Sequence, residues 1–116
     1  MGLQIRSPSS QIKTTQFINT VATTPHTPVV FNGKVVIPTD AADANALNGY
    51  VYDAEISGAA KDPATALNPF DKVYWDNTNK RFTATATSNT LCGYALEAMG
   101  AADVATGLIA FNSNAA

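Results

Sequence analysis

The sequence predicts an all-β fold: a compact, single-domain β-sandwich or barrel, jelly-roll-like, of about eight short strands behind an extended N-terminal arm. Three observations carry this expectation. Runs rich in Val, Ile, Thr and aromatic residues recur with turn signals between them about every 8–12 residues, the rhythm of sandwiches and barrels. An Asn-Gly pair separates two short Val-rich runs, a strong local signal for a hairpin. The β-branched and Gly content around the Ala-rich stretches at 40–47 and 95–102 argues against a long helix. A chain of 116 residues fits one domain. Of its 53 apolar residues 20 are Ala, so the core is expected to be thin.

Residues 1–13, rich in Ser and Gln with Pro8, hold no sustained period and read as the arm; residues 14–116 form the β-domain. The arm is either a frayed terminus or a segment that orders on a partner surface, with Leu3, Ile5 and Ile12 as apolar anchors. Thr14 to Thr24 is a first strand, ended by Pro25 and Pro28. Val29 to Phe31 and Val35 to Ile37 flank Asn32-Gly33, which suits the two positive φ values of a type I′ turn. Residues 40–48 are turn-rich. Tyr50, Tyr52, Ala54 and Ile56 then alternate with Val51, Asp53, Glu55 and Ser57, and period two predicts a strand with one buried face.

Gly58, Pro63 and Asn68-Pro69 mark a long loop. Lys72 to Trp75 is a short strand that places Val73 and Trp75 in the core and Tyr74 on the opposite face, where an interface would meet it. Asp76 to Asn79 is a polar turn whose side chains can bond their own backbone. Phe82 to Thr87 alternates strictly, with Phe82, Ala84 and Ala86 on one face. Thr83, Thr85 and Thr87 line the other, as a solvent face or as a flat, uncharged surface for a neighbouring subunit. Leu91 to Ala98 and Val104 to Phe111 complete the set.

Composition excludes several classes of function. No apolar run approaches the ~20 residues of a membrane span, and the first residues lack the apolar stretch of a signal peptide. One Cys and one His exclude a disulfide framework and multi-His/Cys zinc sites. A net charge of −2 with only 14% charged residues argues against nucleic acid as a partner and favours a life packed against other proteins. The charge is split: residues 1–39 carry +3 from Arg6, Lys13 and Lys34, and the remainder carries −5.

No constellation for catalysis emerges. His26 lies between Pro25 and Pro28 without a nucleophile in its motif. Cys92 has no basic neighbour and reads as a small buried hydrophobe. Asp53 and Glu55, at i and i+2, read as a solvated edge rather than an acid–base pair. Neither Asp-rich turn has the Gly and Glu of a calcium loop, and Gly33-Lys34 is not followed by Ser or Thr as a phosphate loop demands. No cofactor is expected. Trp75 with the tyrosines offers one alternative, a carbohydrate-binding β-sandwich module.

The run from Asp71 to Ala98, DKVYWDNTNKRFTATATSNTLCGYALEA, resembles the C-terminal half of a family of small tailed-phage capsid cement (decoration) proteins. The matching residues are Asp71, Val73, Tyr74, Trp75 and Asp76, the Thr83 to Thr87 run, then Leu91, Gly93, Ala95 and Glu97. Three departures stand out: Phe70 occupies the place where the family tends to have Gly, the last strand lacks the family's basic residues, and the arm before Thr14 is longer. The resemblance implies a structural protein on the outer surface of the expanded virion capsid, made without a signal peptide and without catalysis. Its partners would be the major capsid protein, whose subunits it bridges, and itself, as a dimer or trimer. The residues expected at those contacts are Leu3, Ile5, Arg6, Ile12 and Lys13 of the arm, its positive charge meeting an acidic shell, with Tyr74, Thr83, Thr85 and Thr87.

Overall fold

A computed structural model describes residues 2–114; residue 1 of the arm and residues 115 and 116 lie outside the described part. The fold is all-β, a single antiparallel sheet of nine strands curled into a half-barrel, with no α-helix among the described residues. The strands are β1 (Gln4–Ile5), β2 (Lys13–Ile18), β3 (Val29–Phe31), β4 (Lys34–Pro38), β5 (Leu47–Ser57), β6 (Lys72–Asp76), β7 (Arg81–Thr83), β8 (Thr90–Ala95) and β9 (Ile109–Asn112).

The 11-residue β5 organises the sheet. One of its edges pairs with β2 and then β1, the other with β4 and then β9; β8, β6 and β7 continue beyond β9. The β3–β4 hairpin forms as its sequence predicts. Asn32 at φ 51° and Gly33 at φ 76° supply the two left-handed residues that match the twist of the flanking strands.

The alternation expected along β5 is broken. Lys13 pairs with Asp53 and Thr14 with Val51, which leaves Tyr52 as the extra residue of a β-bulge. A one-residue insertion moves every later side chain to the other face. Val51 therefore reaches the core, as do Ala54 and Ile56, while Tyr50 points to the opposite side. Tyr50 is nonetheless fully buried, because Phe17 stacks on it at 4.0 Å and Phe31 lies 4.3 Å from Phe17. One strand thus serves the main core with its second half and a small aromatic cluster with its first.

The main core combines Val35, Ile37, Val73, Trp75, Phe82, Cys92, Ile109 and Phe111 from the strands with Leu3, Ala59, Leu67 and Met99 from the connections. Trp75 packs edge-on against Phe82 at 4.8 Å. The 58–70 loop closes the open side through single bridges, Ala60 to Ala105 and Leu67 to Met99 antiparallel and Lys61 to Phe82 parallel. The last strand starts later than Val104, at Ile109, because residues 104–106 give their backbone groups to this loop: Lys61 N–H bonds Val104 O and Thr106 N–H bonds Ala59 O.

Two expectations about contact residues are corrected here. Leu3 is no free anchor: its side chain is buried in the chain's own core, and Gln4 and Ile5 pair with Ser57 and Ile56. The threonine row is not a flat strand face either. β7 ends at Thr83, which is buried, while Thr85 and Thr87 are exposed in the following turn. The cause is competition by side chains for backbone groups. Thr65 Oγ1 accepts Ala84 N–H at 3.3 Å and Thr83 Oγ1 accepts Thr85 N–H at 3.1 Å, so the ladder with β6 stops there.

Candidate interaction surface

The convex outer face of the half-barrel carries a regular row across four strands. Lys72 of β6 pairs with Tyr94 of β8, Tyr94 with Ala110 of β9, and Ala110 with Glu55 of β5. Lys72, Tyr94 and Glu55 are exposed and Ala110 is half-buried beneath them. Beside the row stands Phe70, 74% exposed and 5.9 Å from Tyr94. Phe70 has φ 69°, a left-handed conformation that is unfavourable for a bulky L-residue and natural for Gly.

A second apolar patch lies at the far end of the sheet. Ile18 and Leu47 are cross-strand partners, 57% and 63% exposed, with exposed Val21 close in sequence. Neither patch was legible in advance. Ile18 and Leu47 sit in stretches that read as strand interior and turn, and Phe70 was visible only as a departure from the resembling pattern.

The remaining anticipated contact residues are spread over the outside. Ile5 and Ile12 are half-buried and pack against the core. Arg6 is exposed, and its backbone N–H bonds Glu55 O, which sets it beside the end of the Lys72–Glu55 row. Lys13 is exposed and lies 3.9 Å from Asp53. Tyr74 is half-buried on the outward side of β6, between buried Val73 and Trp75. Trp75 is 2% exposed and presents no ring for stacking on a sugar.

Behind this surface the 58–70 loop is held by a polar lock that sequence patterning did not reveal. Lys61 is almost fully buried, and its ammonium donates to the carbonyl oxygens of Asp62 at 2.9 Å, Thr65, and Asp103 at 3.5 Å. A buried ammonium is tolerated because its donors are satisfied. Asp62 accepts Ala64 N–H at 2.9 Å and the Thr83 hydroxyl at 3.0 Å, with Arg81 Nη2 at 3.6 Å. The Ala64 backbone bond, then the Thr83 hydroxyl, Arg81 and Lys61 hold its carboxyl below the ordinary value, against the opposing effect of burial.

Asp76 behaves as its turn predicts. It accepts Thr78 N–H at 3.0 Å, Asn79 N–H at 3.1 Å and Asn79 Nδ2 at 2.8 Å. The Asn79 side chain is the largest cause of its lowered pKa. Cys92 is fully buried and donates to Val73 O, and burial pushes its thiol far up from the ordinary range. His26 is exposed on its loop.

The described side chains thus form structural locks and outward apolar and charged patches. No curated protein and no solved structure matches the chain. A family model described as phage cement protein matches residues 9–111, from the 3-10 turn after β1 to β9, so the match takes in both the polar lock and the outer row. Over that span, nine-tenths of its length, the chain belongs to the phage cement protein family.

Proposed function

We propose that this protein binds the outer surface of the expanded phage capsid and stabilises it by bridging neighbouring major capsid protein subunits, itself acting as a small homo-oligomer. The family has a structural role in the capsid, and the match over residues 9–111 is the observation that carries the reading. The physical logic is linkage. Contacts that exist only on the assembled lattice stabilise that lattice over its separated subunits. Many copies of modest affinity act together through multivalency. A surface poor in charge, with exposed Ile18, Leu47, Phe70 and Tyr94, lowers the cost of desolvating such contacts. Arg6 and Lys13, both exposed, supply positive charge for an acidic shell.

Co-sedimentation with expanded capsids lacking the protein tests this. Saturable binding at a fixed ratio to capsid protein, with a raised capsid melting temperature, is the expected result. Absence of binding to intact expanded shells discards the role.

A further inference from the structure

We infer that the outer row Lys72–Tyr94–Ala110–Glu55 is the contact through which two copies of this chain form a two-fold dimer. The inference rests on the self-association in the proposed function and names its face, its partners and its symmetry.

The row is self-complementary in charge and in shape. It reads cation, aromatic, small residue, carboxylate across adjacent strands β6, β8, β9 and β5. A two-fold axis along the strand direction, between β8 and β9, lays one row over another in reverse order. Lys72 then faces the partner copy's carboxylate at position 55, and Tyr94 faces the small side chain at position 110. Each contact occurs twice, as an isologous interface requires. Strands lie about 4.8 Å apart, so the two charged ends are about 14 Å from each other, beyond the reach of a pair within one chain.

The space beside Tyr94 fits an aromatic ring. An open hollow of about 220 Å³ lies over Ala110, lined by Tyr94, Glu55, Asp53, Ser7 and Gln11. In the reversed arrangement the second copy's Tyr94 enters this hollow. Phe70 widens the apolar contact on the β6 side. Its left-handed φ, held by an aromatic residue that gains little burial in the isolated chain, is unprofitable unless the ring finds a partner.

The test is charge reversal, read by analytical ultracentrifugation at micromolar concentrations. The wild-type protein is expected to be a dimer. Lys72→Glu and Glu55→Lys each weaken it by roughly tenfold or more, because each reversal places like charges together at both symmetry-related contacts. Mixing the two variants restores the dimer: at one contact the introduced Glu at 72 faces the introduced Lys at 55, and at the other the native Glu55 faces the native Lys72. Both sites are exposed, so the folds should survive; circular dichroism checks this, and Ala110→Trp, which fills the hollow, gives an independent block. A wild-type monomer, a wild-type trimer, or reversals that leave the dimer intact overturn the inference. Failure of the mixture to re-form a dimer overturns it as well. Capsid co-sedimentation of the wild-type protein separates the two claims: binding by a protein that is monomeric or trimeric keeps the cement role and removes this interface.

Discussion

Replacing Asp62 is the sharpest probe of what holds the fold closed. In Asp62→Ala the Ala64 N–H and the Thr83 hydroxyl lose their acceptor, and Arg81 and Lys61 lose a nearby carboxylate. Hydrogen bonds to charged groups contribute about 1.5–3 kcal/mol each. Thr83 is buried, so its bond counts in full, whereas water can partly replace the one at Ala64. The expected loss is about 3 kcal/mol, or a fall in Tm of about 10 °C for a domain of this size. Asp62→Asn keeps an acceptor for Ala64 N–H but loses the charge and sets an amide NH2 where Oδ2 accepts the Thr83 hydroxyl, so it should fall between the wild type and Asp62→Ala. The pH dependence follows from the depressed pKa. The wild-type advantage over Asn is complete above the ordinary carboxyl value of 3.8 and is lost as pH falls through the lower folded value. Urea unfolding at a series of pH values measures both quantities. A loss below about 1 kcal/mol for Ala, or a gap to Asn that stays constant down to about pH 2, refutes the reasoning.

Gly93→Ala should destabilise severely, by more than about 3 kcal/mol, because its Cβ would lie 2.1 Å from Ala110 O at a φ of 154°; thermal unfolding reads this, and a near-native Tm contradicts the β8–β9 register. Gly33→Ala should cost only about 1 kcal/mol, since open space surrounds the site and the left-handed φ is the sole penalty. Phe70→Gly should leave Tm unchanged or raise it by up to a few degrees, relief of backbone strain offsetting the lost contact with Tyr94. A fall of more than about 5 °C would show that the ring stabilises the isolated chain. Arg6→Glu combined with Lys13→Glu should weaken capsid binding and flatten its salt dependence, and unchanged co-sedimentation removes the arm's charge from the contact.

Local patterns in the sequence anticipated the parts of this fold that local forces decide. The Asn32-Gly33 turn, the burial of Val73 and Trp75, the Asp76 turn and the buried Cys92 each follow from backbone preference or period two over a few residues. What escaped depends on residues distant in sequence. The bulge at Tyr52 arises from pairing with Lys13 and Thr14, and it reverses which side of β5 is buried. Thr83 reads as one member of a uniform row until the 58–70 loop brings Asp62 and Thr65 to it. Leu3 reads as an arm residue because its partners in the core come from elements far along the chain. The same limit applies to the interaction surface. Lys72, Tyr94, Ala110 and Glu55 are spread over more than fifty positions, and only the strand register aligns them.

Strain and exposure coincide at one place on this molecule, and that coincidence favours a functional reading of the outer face over a purely structural one. Six of the described non-Gly residues have left-handed φ: His26, Asn32, Asn45, Phe70, Lys80 and Ser88. Asn tolerates that conformation through its short polar side chain, and the others are polar residues of loops and turns. Of these, Phe70 alone is large and apolar, and it is also the most exposed large hydrophobic residue among those described. An aromatic in that position loses on both counts in the free chain, for it strains the backbone and leaves its ring in water. A purely structural turn is better served there by Gly. The compensating gain must come from a state in which the ring is covered. The surface beside it continues into the Tyr94 row, the face inferred above to meet a second copy.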